Sequence, residues 1–443
     1  MALTEERSDV DLDTIVSLCK RRGFVFQSSE IYGGFESTWD YGPLGVEMKN
    51  NIKRAWWRAM VQERDDMVGL DAAILMHPET WVASGHVEEF NDPMVQCKEN
   101  GHRFRADHVE SEKCPECGSD FLPARQFNMM FKTHVGPVED DAAVTYLRPE
   151  TAQGIFVNFE NVQTTTRKKV PFGIAQIGKM FRNEITTGHF LFRLREFEAM
   201  EMEYFIRPGT EDEWYDYWRN ERLNWYVRFG VQRDNLRLYE YPEAERAHYS
   251  SGTTDIEYKW PMGWGELEGI ASRTDFDLKA HSKQSGKSLT YFDDELNEHY
   301  VPYVVEPAAG VDRVFLVMLI DGYHEEEVKG EKRSVLRLHP AIAPYKVAVL
   351  PLSRNEKLAP LAGEVGKLVR DQFTSTFDDA QSIGRRYRRQ DEIGTPYCVT
   401  VDFESLDDNA VTIRERDSME QTRVKISELV DTLRERLVIA GAF

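Results

Sequence analysis

The stretch from Gly178 to Phe205, GKMFRNEITTGHFLFRLREFEAMEMEYF, places the tightest limits on the fold. It reads as two strands joined by a polar, turn-like loop. Period-two alternation puts Gln176, Met180, Arg182 and Glu184 on one face of the first strand. It puts Arg193, Arg195, Phe197, Ala199 and Glu201 on one face of the return strand. If both faces look into one cleft, cations, an aromatic ring and carboxylates meet at close range. Arginine offers a rigid fork for phosphate or carboxylate oxygens and stays charged. Phenylalanine stacks on a flat base, and a carboxylate accepts from an exocyclic amine or an ammonium group. Such a set suits a ligand with phosphate, base and ammonium. The same pattern describes an amphipathic hairpin laced with surface ion pairs, and the hairpin alone does not separate the two.

The flanking segments add to it. Val10 to Arg22 carries Leu12, Ile15, Val16 and Cys19 at helical spacing, and Gly23 ends that helix. FVFQSSEIYGG then reads as a strand running into a glycine turn. Gly42-Pro43 and Gly45 break the chain before a long amphipathic helix reaching Val61, with Met48, Ile52, Trp56 and Met60 on one face. Trp56 and Trp57 read as core, and the wide apolar arc also allows a subunit contact. In RPETAQGIF, Glu150 stands where loop becomes helix, a place the helix dipole favours for any acid. The aromatic helix TEDEWYDYWRNERLNWYVRFG reads as core. WGELEGIA puts Glu266 and Glu268 on one face of a strand, where two carboxylates hold a phosphate-bound magnesium ion or simply lie exposed. VPYVVEPAAGVDRVFLVMLI runs as strand, small-residue turn and apolar helix. Glu306 closes the strand, Gly310 permits close approach of a ligand, and Arg313 lies in the first helical turn.

Residues 92–132 form a polar, weakly periodic insertion with Cys97, His102, Cys114 and Cys117. CPECG has the spacing of a zinc knuckle, which makes Cys97, Cys114 and Cys117 candidate zinc ligands with His102 as a fourth; an unmetallated pair is the alternative. Five cysteines, an odd number, argue against a disulfide framework and for a reducing cytoplasm. No apolar run reaches the roughly 18 residues that span a membrane, and the acidic N-terminus lacks a signal core. HPAIAP, His339 to Pro344, marks a boundary between a domain at 1–340 and a small α/β domain at 341–443. The net charge of −21 does not advertise nucleic-acid binding. The small domain holds 15 Lys and Arg against 17 Asp and Glu, so it is nearly neutral. Its cluster Arg385, Arg386, Arg388 and Arg389 around Tyr387 suits phosphate and base contact, a solvated charge run being the alternative.

Taken in order, the GPLG turn with its long helix resembles motif 1 of class II aminoacyl-tRNA synthetases. FRNE, loop, FRLREF resembles motif 2, and GVDR opening an apolar helix resembles motif 3. SSEIYGGFESTWDYGPLGVEMKNN, RPETAQGIFVNF, GIAQIGKMFRNEI and EPAAGVDR further resemble glycyl-tRNA synthetases of the homodimeric type. The similarity runs over nearly the whole chain, the tail resembling a class IIa anticodon-binding domain. It implies an α+β fold, an antiparallel sheet flanked by helices, with a C-terminal α/β anticodon-binding domain. It implies a cytoplasmic homodimer, without membrane contact, that uses glycine, ATP with Mg2+ and tRNA(Gly). Glycyl-adenylate forms first, and the glycyl group then passes to the tRNA 3′ end.

Carried over by residue, the catalytic set is Arg182, Glu184 and Arg313. Arg182 neutralises the α-phosphate, where its charge is worth most in the transition state. Glu184 accepts from the adenine amino group, and a phenylalanine within Phe192 to Phe197 stacks on the base with Arg313 over the other side. The ATP site takes in Asn183, Phe192, Arg193, Leu194, Arg195, Glu196 and Phe197 along motif 2. Glu266 and Leu267, then Gly310, Val311 and Asp312, complete it. Glu150, Glu201 and Glu306 surround the glycine ammonium. The stretches Phe197, Glu198, Ala199, Met200 and Pro307, Ala308, Ala309, Gly310 line that pocket, and Arg105 of FRADH is a further substrate contact. Two departures stand out: Ala308 occupies a position that is often serine, and the insertion lacks a second cysteine beside the first. An accessory, non-catalytic relative would lack the motif 2 and motif 3 arginines, which this chain keeps. A synthetase for serine, threonine or proline is opposed by RPETAQG, EPAAG and the crowd of acids.

Overall fold

Long strands with one charged and one apolar face build the central sheet of the computed structural model, which describes residues 10–109, 111–139, 143–246 and 250–442. The acidic start of the chain, residues 1–9, lies outside them. In chain order the strands are β1 (Met67–Gly69), β2 (Phe172–Phe181), β3 (Glu196–Ile206), β4 (Leu236–Glu240), β5 (Gly252–Trp260), β6 (Gly263–Thr274) and β7 (Tyr303–Gly310). They lie in the order β4-β5-β6-β7-β3-β2-β1 and pair antiparallel, except that β1 runs parallel to β2. The motif 2 hairpin is therefore β2 and β3, with Phe197 opposite Met180 and Glu201 opposite Gln176.

Helices pack on both faces of the sheet, Tyr204 of β3 meeting Trp218 on one side and Phe205 meeting Phe156 on the other. α1 (Leu12–Arg22) starts on the Asp11 side chain, which accepts from the Thr14 amide at 2.7 Å, and ends on Gly23 in the left-handed region. α2 (Pro43–Trp57) has proline in its first turn. A Cβ on Gly45 would stand 1.9 Å from the Phe24 carbonyl oxygen, so the first turn of α2 tolerates only glycine there. The helix expected to reach Val61 changes to a single π turn over Arg58–Gln62. α3 (Ala152–Val157) follows Glu150 and Thr151. α4 (Glu211–Arg228) and α5 (Phe276–Ser285) come next, then α6 (Val311–Gly322), in which every residue but Arg313 is buried. Trp56, Trp218 and Trp225 are core residues, as their helical spacing predicts. The insertion forms a separate three-stranded sheet of Asn91–Gln96, Arg103–Arg105 and Arg125–Asn128.

A second sheet follows the HPAIAP stretch: β8 (Val347–Pro351), β9 (Ser375–Phe377), β10 (Tyr397–Val401), β11 (Ala410–Glu415) and β12 (Gln421–Lys425). Its order is β9-β8-β10-β11-β12, with β8 parallel to both neighbours. With α7 (Ala359–Arg370) and α9 (Leu429–Ile439) it encloses its own core of Val349, Val365, Val399 and Leu433, while α8 (Ile383–Glu392) packs Ile383 and Tyr387 on Ala348, Leu350 and Cys398 of its other face. The arginine cluster of α8 mostly faces inward. Arg386 is buried and donates to the carbonyls of Pro351, Ala380 and Gln381. Tyr387 is half-buried and bonded to Thr400, and Arg389 is paired with Asp378 at 2.6 Å. Arg385 remains exposed. Helical periodicity explains the outcome, since five consecutive residues cannot all face solvent on a docked helix.

Candidate active site

The cleft lies over β2, β3, β6 and β7, where two adjoining cavities of about 130 Å³ and 330 Å³ share Arg182, Glu201, Glu266 and Ala308. A larger cavity of about 730 Å³ lies behind β3, between α2, the end of α4 and the start of the small domain, and holds none of the motif 2 arginines.

At one end Arg182 donates Nε to the Pro149 carbonyl at 3.0 Å, and its guanidinium lies 5.6 Å from the Phe197 ring centroid. Arg313 donates to the carbonyls of Phe192 (3.0 Å) and Glu266 (3.1 Å), pairs with the Glu266 carboxylate at 2.9 Å, and covers the Phe192 ring at 4.4 Å. Phe192 and Phe197 both line the cleft, Phe192 under Arg313 and Phe197 beside Arg182. Glu184 Oε2 is buried and accepts no hydrogen bond among the described residues, with Arg193 Nη1 3.7 Å away. Arg195 holds the Glu184 carbonyl at 3.3 Å, and the Asn183 amide donates to the Met129 carbonyl at 2.8 Å.

The other end is acidic and enclosed. Glu201 Oε2 accepts from the Thr151 amide at 2.8 Å and from the Thr151 hydroxyl. Glu150 accepts from Gln153 Nε2 at 2.7 Å and lies 3.5 Å from His86 and 3.8 Å from Arg273. Glu306 takes both oxygens to Arg273 Nη1 at 3.0 Å. Burial works to raise the Glu150 carboxyl, but His86 and Arg273 hold it well below the usual carboxylate range. Burial pushes Glu306 up to about 7, against the pull of Arg273. Burial and the nearby Glu150 raise Glu201 as well. Ala308 sits between Glu201 and Gly269 in the register, at the floor of this end.

Several expected residues point elsewhere. Alternation along β3 turns Glu198 to the opposite face, where Lys49 and Lys53 hold it, and sends Met200 into the core. Leu267 and Val311 are core residues, Glu196 pairs with Lys179 at the surface, and Pro307 lies opposite the core residue Ile270. Asp312 borders the cleft, but its carboxylate is taken by Tyr41, Lys49 and the Glu198 amide. Arg105 is engaged by Asp92 at 3.0 Å and Asp107 at 2.7 Å, outside the acidic end. Glu266 and Glu268 do not share a face. A β-bulge at Leu267 leaves Glu266 beside Arg313 and turns Glu268 to Arg222 (2.6 Å) and Tyr226 (2.6 Å). The second carboxylate near Glu266 is Asp255, pushed up to about 7 by burial and by Glu266.

In the insertion, one sulfur each from Cys97, Cys114 and Cys117 lies within 4.8 Å of the others. His102 is turned to Glu116 instead.

Residues 131–322 match the tRNA synthetase class II core domain (G, H, P, S and T), and residues 346–436 match the anticodon binding domain. A glycine–tRNA ligase from Thermobifida fusca is 56% identical, covering 96% of this chain and 98% of the relative. One from Mycolicibacterium vanbaalenii is 57% identical over the same shares, and one from Treponema denticola is 54% identical over 98% of each chain. The chain belongs to the glycine–tRNA ligases. The crystal structure of a prolyl-tRNA synthetase from Cryptosporidium parvum, complexed with halofuginone and AMPPNP, shares the fold (TM-score 0.66, 15% identity, 97% of this chain and 76% of that one). Asp255 and Arg273 of this glycine–tRNA ligase site escaped the sequence reading. Arg273, nearly fully buried, joins Glu306 to Asp277, to which it donates at 2.8 and 2.9 Å. The signal was the pair Arg273 and Asp277, four residues apart where a strand becomes a helix.

Proposed function

We propose that this glycine–tRNA ligase makes glycyl-adenylate in the cleft over β3 and passes the glycyl group to tRNA(Gly) from there. A glycine carboxylate oxygen attacks the α-phosphorus of ATP and pyrophosphate leaves. A hydroxyl of the terminal tRNA ribose then attacks the glycyl carbonyl and AMP leaves. Arg182 faces the α-phosphate and offsets charge that grows as the phosphorus becomes five-coordinate. Adenine stacks between Phe197 and Arg313 with its amino group at Glu184. Glycine's ammonium sits among Glu150, Glu201 and Glu306, the last held in place by Arg273. Positioning and electrostatics suffice, because the attacking carboxylate is already ionised. The observation that carries the reading is the meeting of two arginines, two phenylalanines and three largely buried acids in one cleft.

Glu266 and Asp255 would hold the Mg2+ that accompanies ATP; burial and the neighbouring Glu266 push the Asp255 carboxyl up to about 7, and a cation between the two would relieve that repulsion. That ion would supply positive charge to the leaving pyrophosphate. Cys97, Cys114 and Cys117 would hold a structural zinc ion, their sulfurs already gathered. A homodimer through the outer face of α2, a domain division near residue 340 and a reducing, cytoplasmic setting complete the proposal. The five free cysteines are consistent with that setting, and among the described residues no helix is long and apolar enough to cross a membrane. ATP–pyrophosphate exchange tests the activity. Exchange with glycine, and none with alanine, serine, threonine or proline, is expected. Folded protein without glycine-dependent exchange would overturn the reading.

A further inference from the structure

We propose that Lys49, on the motif 1 helix, is a positioning residue for adenylation that sets Arg313 and Phe197 through Asp312. The inference rests on the adenylating cleft described above. Asp312 is the second residue of α6, directly before Arg313, and its carboxylate gathers donors from three elements. Lys49 Nζ of α2 reaches Oδ1 at 3.1 Å, and the Tyr41 hydroxyl, from the strand just before α2, bonds the same oxygen. The Glu198 amide of β3 donates to Oδ2 at 2.9 Å. Glu198 in turn pairs with Lys49 at 3.3 Å and with Lys53 at 3.1 Å.

One carboxylate thus fastens the N-terminus of α6 to the β3 backbone, at the residue between Phe197 and Ala199. Arg313 and Phe197, the two sides of the base site, are the immediate chain neighbours of the two residues joined. Lys49 is buried, as is Asp312, and water cannot replace either partner cheaply. Lys49 also balances charge, because Asp312 and Glu198 would otherwise face each other with Lys53 alone between them and solvent. It touches neither ATP nor glycine in this arrangement. Its effect reaches the reaction through the spacing of Arg313 from Phe197, which is the width of the adenine slot.

The measurement is ATP–pyrophosphate exchange on the intact chain, with KM and kcat taken separately for ATP and glycine. Wild-type exchange with glycine must be present first; its absence would count against the adenylating reading and not against Lys49. With Lys49→Met the ATP KM should rise and kcat fall, by about tenfold or more in kcat/KM for ATP, while the glycine KM stays within about twofold. Lys49→Arg should recover most of the loss, and Lys53→Met, which leaves Asp312 untouched, should stay near wild type. A folded Lys49→Met enzyme with unchanged ATP parameters would overturn the proposal, as would equal losses for ATP and glycine. If Lys49→Met does not fold, Tyr41→Phe decides: it removes one hydroxyl from the same carboxylate and should raise the ATP KM by a few-fold, roughly the worth of one hydrogen bond. An unchanged ATP KM in Tyr41→Phe then overturns it.

Discussion

The two ends of the cleft hold charge in opposite ways. At the base end, arginines are held mainly by main-chain carbonyls: Arg182 by Pro149, Arg195 by Glu184, and Arg313 by Phe192 and Glu266. A carbonyl orients a guanidinium without cancelling its charge, so the positive field stays available to phosphate. Carboxylates add to this at Arg313, with Glu266 at 2.9 Å, and more loosely at Arg195, with Glu36 at 3.8 Å. At the acidic end, carboxylates are buried and tied to charged partners, Glu306 and Asp277 to Arg273 and Glu150 to His86 and Arg273. Glu203 lies fully buried there, its two oxygens without a hydrogen bond among the described residues, and burial with Glu306 nearby raises it well above the usual range. The base end is built to meet charge that develops, and the acidic end to admit one small cation into a site already close to balance.

The largest expected effect comes from removing the orienting fork at the base end. Arg182→Ala should slow adenylate formation by about 100- to 1000-fold, measured in a single turnover, the range seen when one transition-state donor is lost. A loss below tenfold would place the α-phosphate elsewhere. Next come variants that separate the ends. Glu306→Gln should raise the glycine KM by roughly 30-fold, about 2 kcal/mol for a charged hydrogen-bonded contact, and leave the ATP KM alone. Phe197→Ala should do the reverse, raising the ATP KM by about tenfold through lost stacking. If either variant moves both constants equally, the ends are one coupled site and the contrast fails.

A smaller effect is set by pH. Glu306, pushed up to about 7, binds a proton in the folded state that the unfolded chain releases near its ordinary 4.5. Between these values the native state therefore holds more protons, and stability falls as pH rises through that window. The acids share the titration, so the proton belongs to the cluster. The ligand-free melting temperature should drop from pH 5 to pH 7, and less so in Glu306→Gln. Glycine binding should strengthen over the same range, because its ammonium needs the ionised cluster. Calorimetry in buffers of different ionisation enthalpy reads the released proton. No proton release at pH 6.5 would mean that Glu306 is ionised before glycine arrives.

Local pattern was enough for the base end. Period two along β3 assigns Phe197 and Glu201 to the cleft, and the same rule excludes Glu198 and Met200, which a motif copied as a block wrongly includes. The bulge at Leu267 defeats period two, and nothing in WGELEGIA announces it. Arg273 meets Glu306 across β6 and β7, Asp255 lies near Glu266 across β5 and β6, and Lys49 meets Asp312 between two helices, so their roles depend on how the folded elements pack. Arg386 and Tyr387 looked like surface residues because a run of arginines reads as solvated; burial of α8 against the second sheet reverses that.

The smallest expected effect concerns Ala308, where a serine often stands. Its neighbours in the register, Glu201 and Gly269, leave an added hydroxyl one acceptor, the Glu201 carboxylate, which already holds two donors from Thr151 on one oxygen. A serine would gain a charge-assisted bond there and lose the entropy of its rotor, two terms of similar size. Ala308→Ser should therefore change the glycine KM by no more than about threefold, and leave discrimination against alanine intact if steric exclusion rests on the enclosing acids. A gain of tenfold or more in glycine affinity would show that the acidic end of this enzyme lacks a contact that its geometry can accommodate. The two ends would then differ in completeness as well as in charge.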